Sequence, residues 1–134
     1  MDPCFISLFS VFKITFPSEE SLRKIYFSIL NGHLQPFDKE VRQLAETATQ
    51  CTLDLYTRIV RDLPPTPSKF HYIFNLRDLS RITHGLCLTT PDRFENQEKF
   101  VRVWRNECLR VFYDRLINKK DKDLVHVSIR FNMI

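Results

Sequence analysis

At 134 residues, 43% hydrophobic and 27% charged, the chain can build one soluble domain with a real core, and no apolar run reaches transmembrane length. Its net charge of +4 comes from residues 93–122, with nine basic and five acidic side chains against eleven of each elsewhere; no block of five like charges occurs, which argues against nucleic-acid binding. With only two glycines, Gly32 and Gly85, neither GxxxxGK[ST] nor GxGxxG occurs, so the chain on its own carries no nucleotide triphosphate site.

Residues 10–16, SVFKITF, alternate with Phe12, Ile14 and Phe16 on one face and Val11, Lys13 and Thr15 on the other, which predicts a strand. Pro17 ends it. Ser18, as N-cap before Glu19 and Glu20, opens a helix with the stripe Leu22, Ile25, Tyr26, Ile29 and Leu30, and Gly32 is its natural C′ residue. A longer helix follows from about Pro36 to Asp62, with Val41, Leu44, Ala45, Ala48, Thr52, Leu55, Tyr56, Ile59 and Leu63 on one stripe. PPTP, residues 64–67, stops it.

HYIFNLRDLSR, residues 71–81, reads as a short extended run that turns into a helix. Asn75 is the N-cap and Asp78 stands at N3, the acidic position of a capping box. From Leu76 to about Leu88 the third helix places Leu79, Ile82, Thr83, Leu86 and Cys87 in one apolar arc, with Arg77 and Arg81 on the opposite side. Thr90-Pro91 breaks the chain. A fourth helix runs from about Glu95 to Asn118, with Phe100, Val103, Trp104, Cys108, Val111 and Phe112 inward and Lys99, Arg102, Arg105 and Arg110 outward. KKDKD (119–123) reads as a solvated connector, and VHVSIRF (125–131) alternates weakly like a strand.

The fold class that follows is mainly α, a bundle of four amphipathic helices preceded by one orphan strand. A single strand leaves its N–H and C=O groups unpaired, so residues 10–16 look like the last strand of a sheet whose other strands lie elsewhere. The chain looks cut from something larger.

A helix N-terminus beside an arginine with no apolar duty suits an anion, phosphate above all. By residue pattern alone Arg77 reads more simply as a surface arginine at a helix start, mildly unfavourable for the dipole and offset by Asp78. It is the candidate site residue only together with the family resemblance that the chain carries, with Arg81, which could equally salt-bridge to a missing core, and Asn75 as candidate assistants. The other polar residues point to no chemistry. Cys4, Cys51, Cys87 and Cys108 are far apart without CxxC spacing, three of them in helical patterns that suggest buried thiols rather than a metal site or disulfide framework. His33, His71, His84 and His126 lack metal-ligand spacing. Glu95, Glu98 and Asp114 interleave with the basic face of the fourth helix, which suits a solvated, paired surface. Glu107 and Arg115 fall at or inside its apolar arc; a buried charge needs a partner, which predicts an ion pair to another helix or to a missing core.

Three blocks taken together, FSVFKITFPSEESLRKIY (9–26), PPTPSKFHYIFNLRDLSRITHG (64–85) and VRVWRNECLRVFYDRL (101–116), resemble dynein heavy chain. The likeness is to the helical lid of one AAA+ motor module, most like the third, in axonemal heavy chains, and covers about residues 2–125. It implies that residues 1–17 end a missing AAA+ core, 18–118 form the lid, and 119–134 are a connector and a tail outside the pattern. It also implies that Arg77 is the sensor-2 arginine, reaching the phosphates of ATP or ADP, with Mg, held by the complete module. The implied partners are the rest of the core, the neighbouring ring modules, the dynein complex and microtubules in a cilium or flagellum axoneme. The chain by itself would be no enzyme and bind no cofactor. In Asp2-Pro3-Cys4-Phe5 a cysteine stands where the pattern expects a trans-acting arginine. The alternative is an autonomous helical interaction module that docks through its Phe-rich N-terminal segment.

Overall fold

The computed structural model describes Cys4, residues 7–94 and residues 96–131, with Phe131 by its backbone alone. Five helices form among these residues: α1 (Glu19–His33), α2 (Lys39–Asp62), α3 (Leu76–Leu86), α4 (Gln97–Cys108) and α5 (Lys119–Phe131). A 3₁₀ turn, Pro67–Lys69, lies on the way into α3, and α4 runs on into a π-type turn, Leu109–Tyr113.

The orphan strand is not formed. Residues 10–17 adopt neither helix nor strand, and their apolar side chains face solvent, with Phe12 82% and Ile14 92% exposed. Side-chain alternation alone cannot hold a strand, whose backbone groups need a neighbour's ladder, and no strand exists among the described residues.

Each helix start follows its local chemistry. Ser18 caps α1, accepting from the Ser21 N–H at 3.3 Å, with Glu19 and Glu20 in the first turn. Leu22 and Leu30 of its stripe are buried, but Ile25 and Ile29 are about half exposed. Gly32 does not serve as a left-handed C′ residue: α1 continues through it to His33, and Leu34, fully buried, closes the helix by donating to the Leu30 carbonyl. Burial of the Leu34 side chain outweighs the glycine's preference for an ending. The stripe of α2 is buried except for the half-buried Leu44.

α4 lies across α2 and α3. Trp104 and Phe100 are wholly buried, and the Trp104 indole N–H donates to Thr52 Oγ1 at 2.8 Å. Gly85 lets α3 approach closely, because a methyl group there would run into the Glu107 side chain. Burial pushes the thiols of Cys51 and Cys108 up, that of Cys108 well above its usual 9.0.

Residues 119–131 are helical, neither a solvated connector nor a strand. Val125, Ser128 and Ile129 turn inward with helical spacing, while Val127 is 48% exposed. Val125 and Ile129 satisfy both a period of two and an i,i+4 repeat; packing against the π-type turn and α2 selects the helix.

Candidate functional site

The N-terminus of α3 is built around one buried carboxylate. Asp78, 2% exposed, closes the capping box by accepting from the Asn75 N–H at 3.0 Å, while Asn75 Oδ1 accepts from the Arg77 N–H at 2.9 Å. Two guanidinium groups converge on the same carboxylate. Arg115 Nη2 lies 2.7 Å from Asp78 Oδ1 and its Nη1 lies 3.4 Å from Oδ2, while Arg81 Nη1 is 3.3 Å from Oδ1. Arg115 also donates to the Ile73 carbonyl at 3.2 Å and lies over the Phe74 ring, 5.2 Å from its centroid. On the other side, the Tyr26 hydroxyl from α1 donates to the Leu76 carbonyl at 3.1 Å.

The loop leading into α3 has a second anchor. Tyr72 is buried, and its hydroxyl donates to Asp121 Oδ2 at 3.0 Å while accepting from the Ile117 N–H at 3.1 Å. Lys69 Nζ lies 2.6 Å from the same carboxylate oxygen. That ammonium, and secondly the Tyr72 hydroxyl, hold the Asp121 carboxyl below its ordinary value of 3.8.

Against this network the three residues singled out from sequence separate. Arg77 is exposed at the second position of α3, and among the described residues its side chain has no hydrogen-bond or ion-pair partner. Arg81 is exposed too, but its guanidinium turns back to Asp78. Asn75 is occupied as the cap. Arg77 is thus the cation of this mouth that is available to something outside.

The expected partner for Arg115 proves to be Asp78 of α3, whereas Glu107 pairs within its own turn with Arg110 at 2.5 Å. Glu98 pairs with Arg102 on the outer face of α4, and Arg105 lies 3.4 Å from His126. Tyr72, Lys69 and Asp121 carried no local signal of their joint role, since Asp121 lies 49 residues from Tyr72. Asp2, Pro3 and Phe5 lie outside the described residues; Cys4 is exposed, and its carbonyl accepts from the Ser7 hydroxyl at 2.7 Å. Among the described residues no group of three or more His, Cys, Asp or Glu is placed to hold a metal, and no helix is long and apolar enough to cross a membrane.

Residues 25–122 match the family described as dynein heavy chain, ATPase lid domain. Over 129 residues, 96% of this chain, the sequence is 63% identical to dynein axonemal heavy chain 10 of Homo sapiens. Over 124 residues, 91% of this chain, it is 61% identical to the dynein-1-alpha heavy chain, flagellar inner arm I1 complex, of Chlamydomonas reinhardtii. To dynein axonemal heavy chain 6 of Homo sapiens it is 42% identical over 127 residues, 95% of this chain. In each case the chain spans about 3% of the relative's length. With the profile running from α1 into α5 and such identities to axonemal relatives, the chain belongs to the dynein heavy chain family as an ATPase lid domain of the axonemal type.

Proposed function

We propose that this chain is the lid of one AAA+ module, the third in the ring, of an axonemal dynein heavy chain, and that Arg77 senses the phosphates of the nucleotide held between lid and core. In this reading the chain itself hydrolyses nothing. The core binds ATP or ADP with Mg, and the lid contributes the Arg77 guanidinium beside the positive end of α3, where negative charge is favoured. Because Arg77 is rigidly joined to its helix, a change in phosphate charge alters the pull on α3 and with it the angle of the lid. Neighbouring ring modules receive that movement, and the complex converts it into microtubule-based motility in the axoneme of a cilium or flagellum. Cys4, where the family pattern has an arginine, offers a neighbouring module no cation.

One observation carries this reading: Asp78 engages Arg81 and Arg115 but leaves Arg77 exposed and without a partner among the described residues. The test is Arg77→Ala in the heavy chain, with nucleotide affinity and microtubule gliding as readouts. Loss of a charge-assisted contact to phosphate should weaken ATP binding at this module by about tenfold or more, with Arg77→Lys intermediate. Unchanged affinity and gliding in Arg77→Ala would overturn it. The exposed apolar residues 8–16 suit a lid whose AAA+ core covers them, and equally an autonomous interaction module docking through them. Only the lid has a use for Arg77, so the same variant separates the two.

A further inference from the structure

We propose that Arg115 is a positioning residue for Arg77, and that the corner running from the π-type turn into the first turn of α5, residues 114–121, determines where the mouth of α3 sits. The proposal takes its functional meaning from the phosphate-sensing reading, but its geometry stands apart from it. Of the two arginines on Asp78, only Arg115 can tie elements together. Arg81 belongs to the same helix as Asp78, makes one contact at 3.3 Å and is largely exposed, so it cannot fix α3 to anything else. Arg115 comes from beyond the π-type turn, is 24% exposed at its side chain, and holds the Asp78 carboxylate, the Ile73 carbonyl and the Phe74 ring together. These three groups lie on both sides of the Asn75 cap, so one guanidinium spans the junction from which Arg77 emerges.

The second tie strengthens the argument. Tyr72 and Lys69 meet Asp121 and the Ile117 N–H, so the loop before α3 is fastened to the same corner from its other end. Residues 69–78 and 114–121 are thereby joined at two places by charged or buried groups, and the π-type turn, which admits one residue more than an α turn, is where the chain departs from α4 to reach them. Two fastenings suppress both sliding and rotation of the loop, where one would leave a pivot. Movement of this corner is then delivered to Arg77, and by thermodynamic reciprocity an anion bound at Arg77 biases the corner.

Arg115→Met and Arg115→Lys test this by amide hydrogen exchange on the chain and by nucleotide affinity in the heavy chain. In Arg115→Met, amides 73–78 should exchange about tenfold faster, while those of residues 49–55 in α2 stay unchanged. Arg115→Lys keeps a charge for Asp78 but cannot also reach Ile73, so acceleration should be about threefold and centred on residues 73–75. No change at 73–78 in either variant, or an equal acceleration in α2, would overturn the proposal. In the heavy chain, Arg115→Met should weaken ATP binding, yet add nothing when Arg77 is already alanine, the pattern of two residues acting through one contact. A further loss in the double variant would show that Arg115 acts independently and refute the positioning role. Local loosening with no effect of Arg77→Ala on nucleotide would instead overturn the sensing reading and leave the tie itself standing.

Discussion

The mouth of α3 and the segment before α1 invert the usual arrangement in opposite ways. At the mouth, a charged Asp78 is buried at 2% exposure; in residues 8–16, six large apolar side chains are exposed. The buried charge is stable because every part of it is answered: a backbone N–H and two guanidinium groups share its two oxygens. The exposed apolar run leaves most of its side-chain surface in solvent. A satisfied polar site is complete in itself, whereas a bare apolar one calls for a surface to cover it. The two regions therefore differ in what holds them: the first is fixed by its own hydrogen bonds and ion pairs, while the second leaves its apolar side chains in solvent.

The sharpest way to break this contrast is to remove the carboxylate. Asp78→Ala strands Arg115, leaves the Asn75 N–H without its acceptor and dissolves the capping box. Breaking a buried pair at one end costs about 3 kcal/mol, somewhat less here because Arg115 retains some solvent. Urea denaturation should show a lowered midpoint with an unchanged slope, and the melting temperature should fall by roughly 10 °C. A loss no larger than that of an ordinary surface substitution would mean the network is ornamental.

How much of this was legible depended on distance along the chain. The capping box was readable because Asn75 and Asp78 stand three residues apart. Arg115 was readable as a misfit, a charge in an apolar arc, but its partner 37 residues away was not, since nothing local distinguishes Asp78 from any capping acid. Asp121 was hidden inside a charge-rich run that resembles a connector, and Ser128, buried and polar, disguised the helical face of α5. The α1 stripe was wider on paper than in space, for Ile25 and Ile29 lie beyond what α2 and α3 cover. The strand at 10–16 failed for the converse reason: its alternation is genuine, yet a strand also needs a neighbour. Arg77 could be singled out because it lacked an apolar duty, a property visible on a helical wheel, and its side chain is exposed as that position implies.

A smaller effect probes the second fastening through pH. The Asp121 carboxyl is held below 3.8 by Lys69 and Tyr72, so its contribution to stability is complete above the ordinary carboxylate range and is lost as pH falls through its depressed folded value. Between about pH 5 and pH 3 the wild-type chain should lose more stability than Asp121→Asn, and the difference between the two curves isolates this carboxylate from all others. Parallel curves would show that Lys69 and Tyr72 hold nothing in solution.

The smallest effect is expected where the apolar content is highest. Phe12 and Phe16 are exposed, so Phe12→Ser with Phe16→Ser should alter the stability of the chain by no more than about 0.5 kcal/mol. That is several times less than the loss of the single Asp78 carboxylate, although two phenylalanines represent far more apolar surface. The same double substitution should reduce self-association measured by light scattering, because exposed apolar patches are what neighbouring molecules find. A fall in melting temperature beyond roughly 5 °C would place these rings on the bundle and erase the contrast. If stability holds in the chain but the substitutions destabilise the heavy chain, the cover for this segment is the AAA+ core; if both are indifferent, that core does not use it.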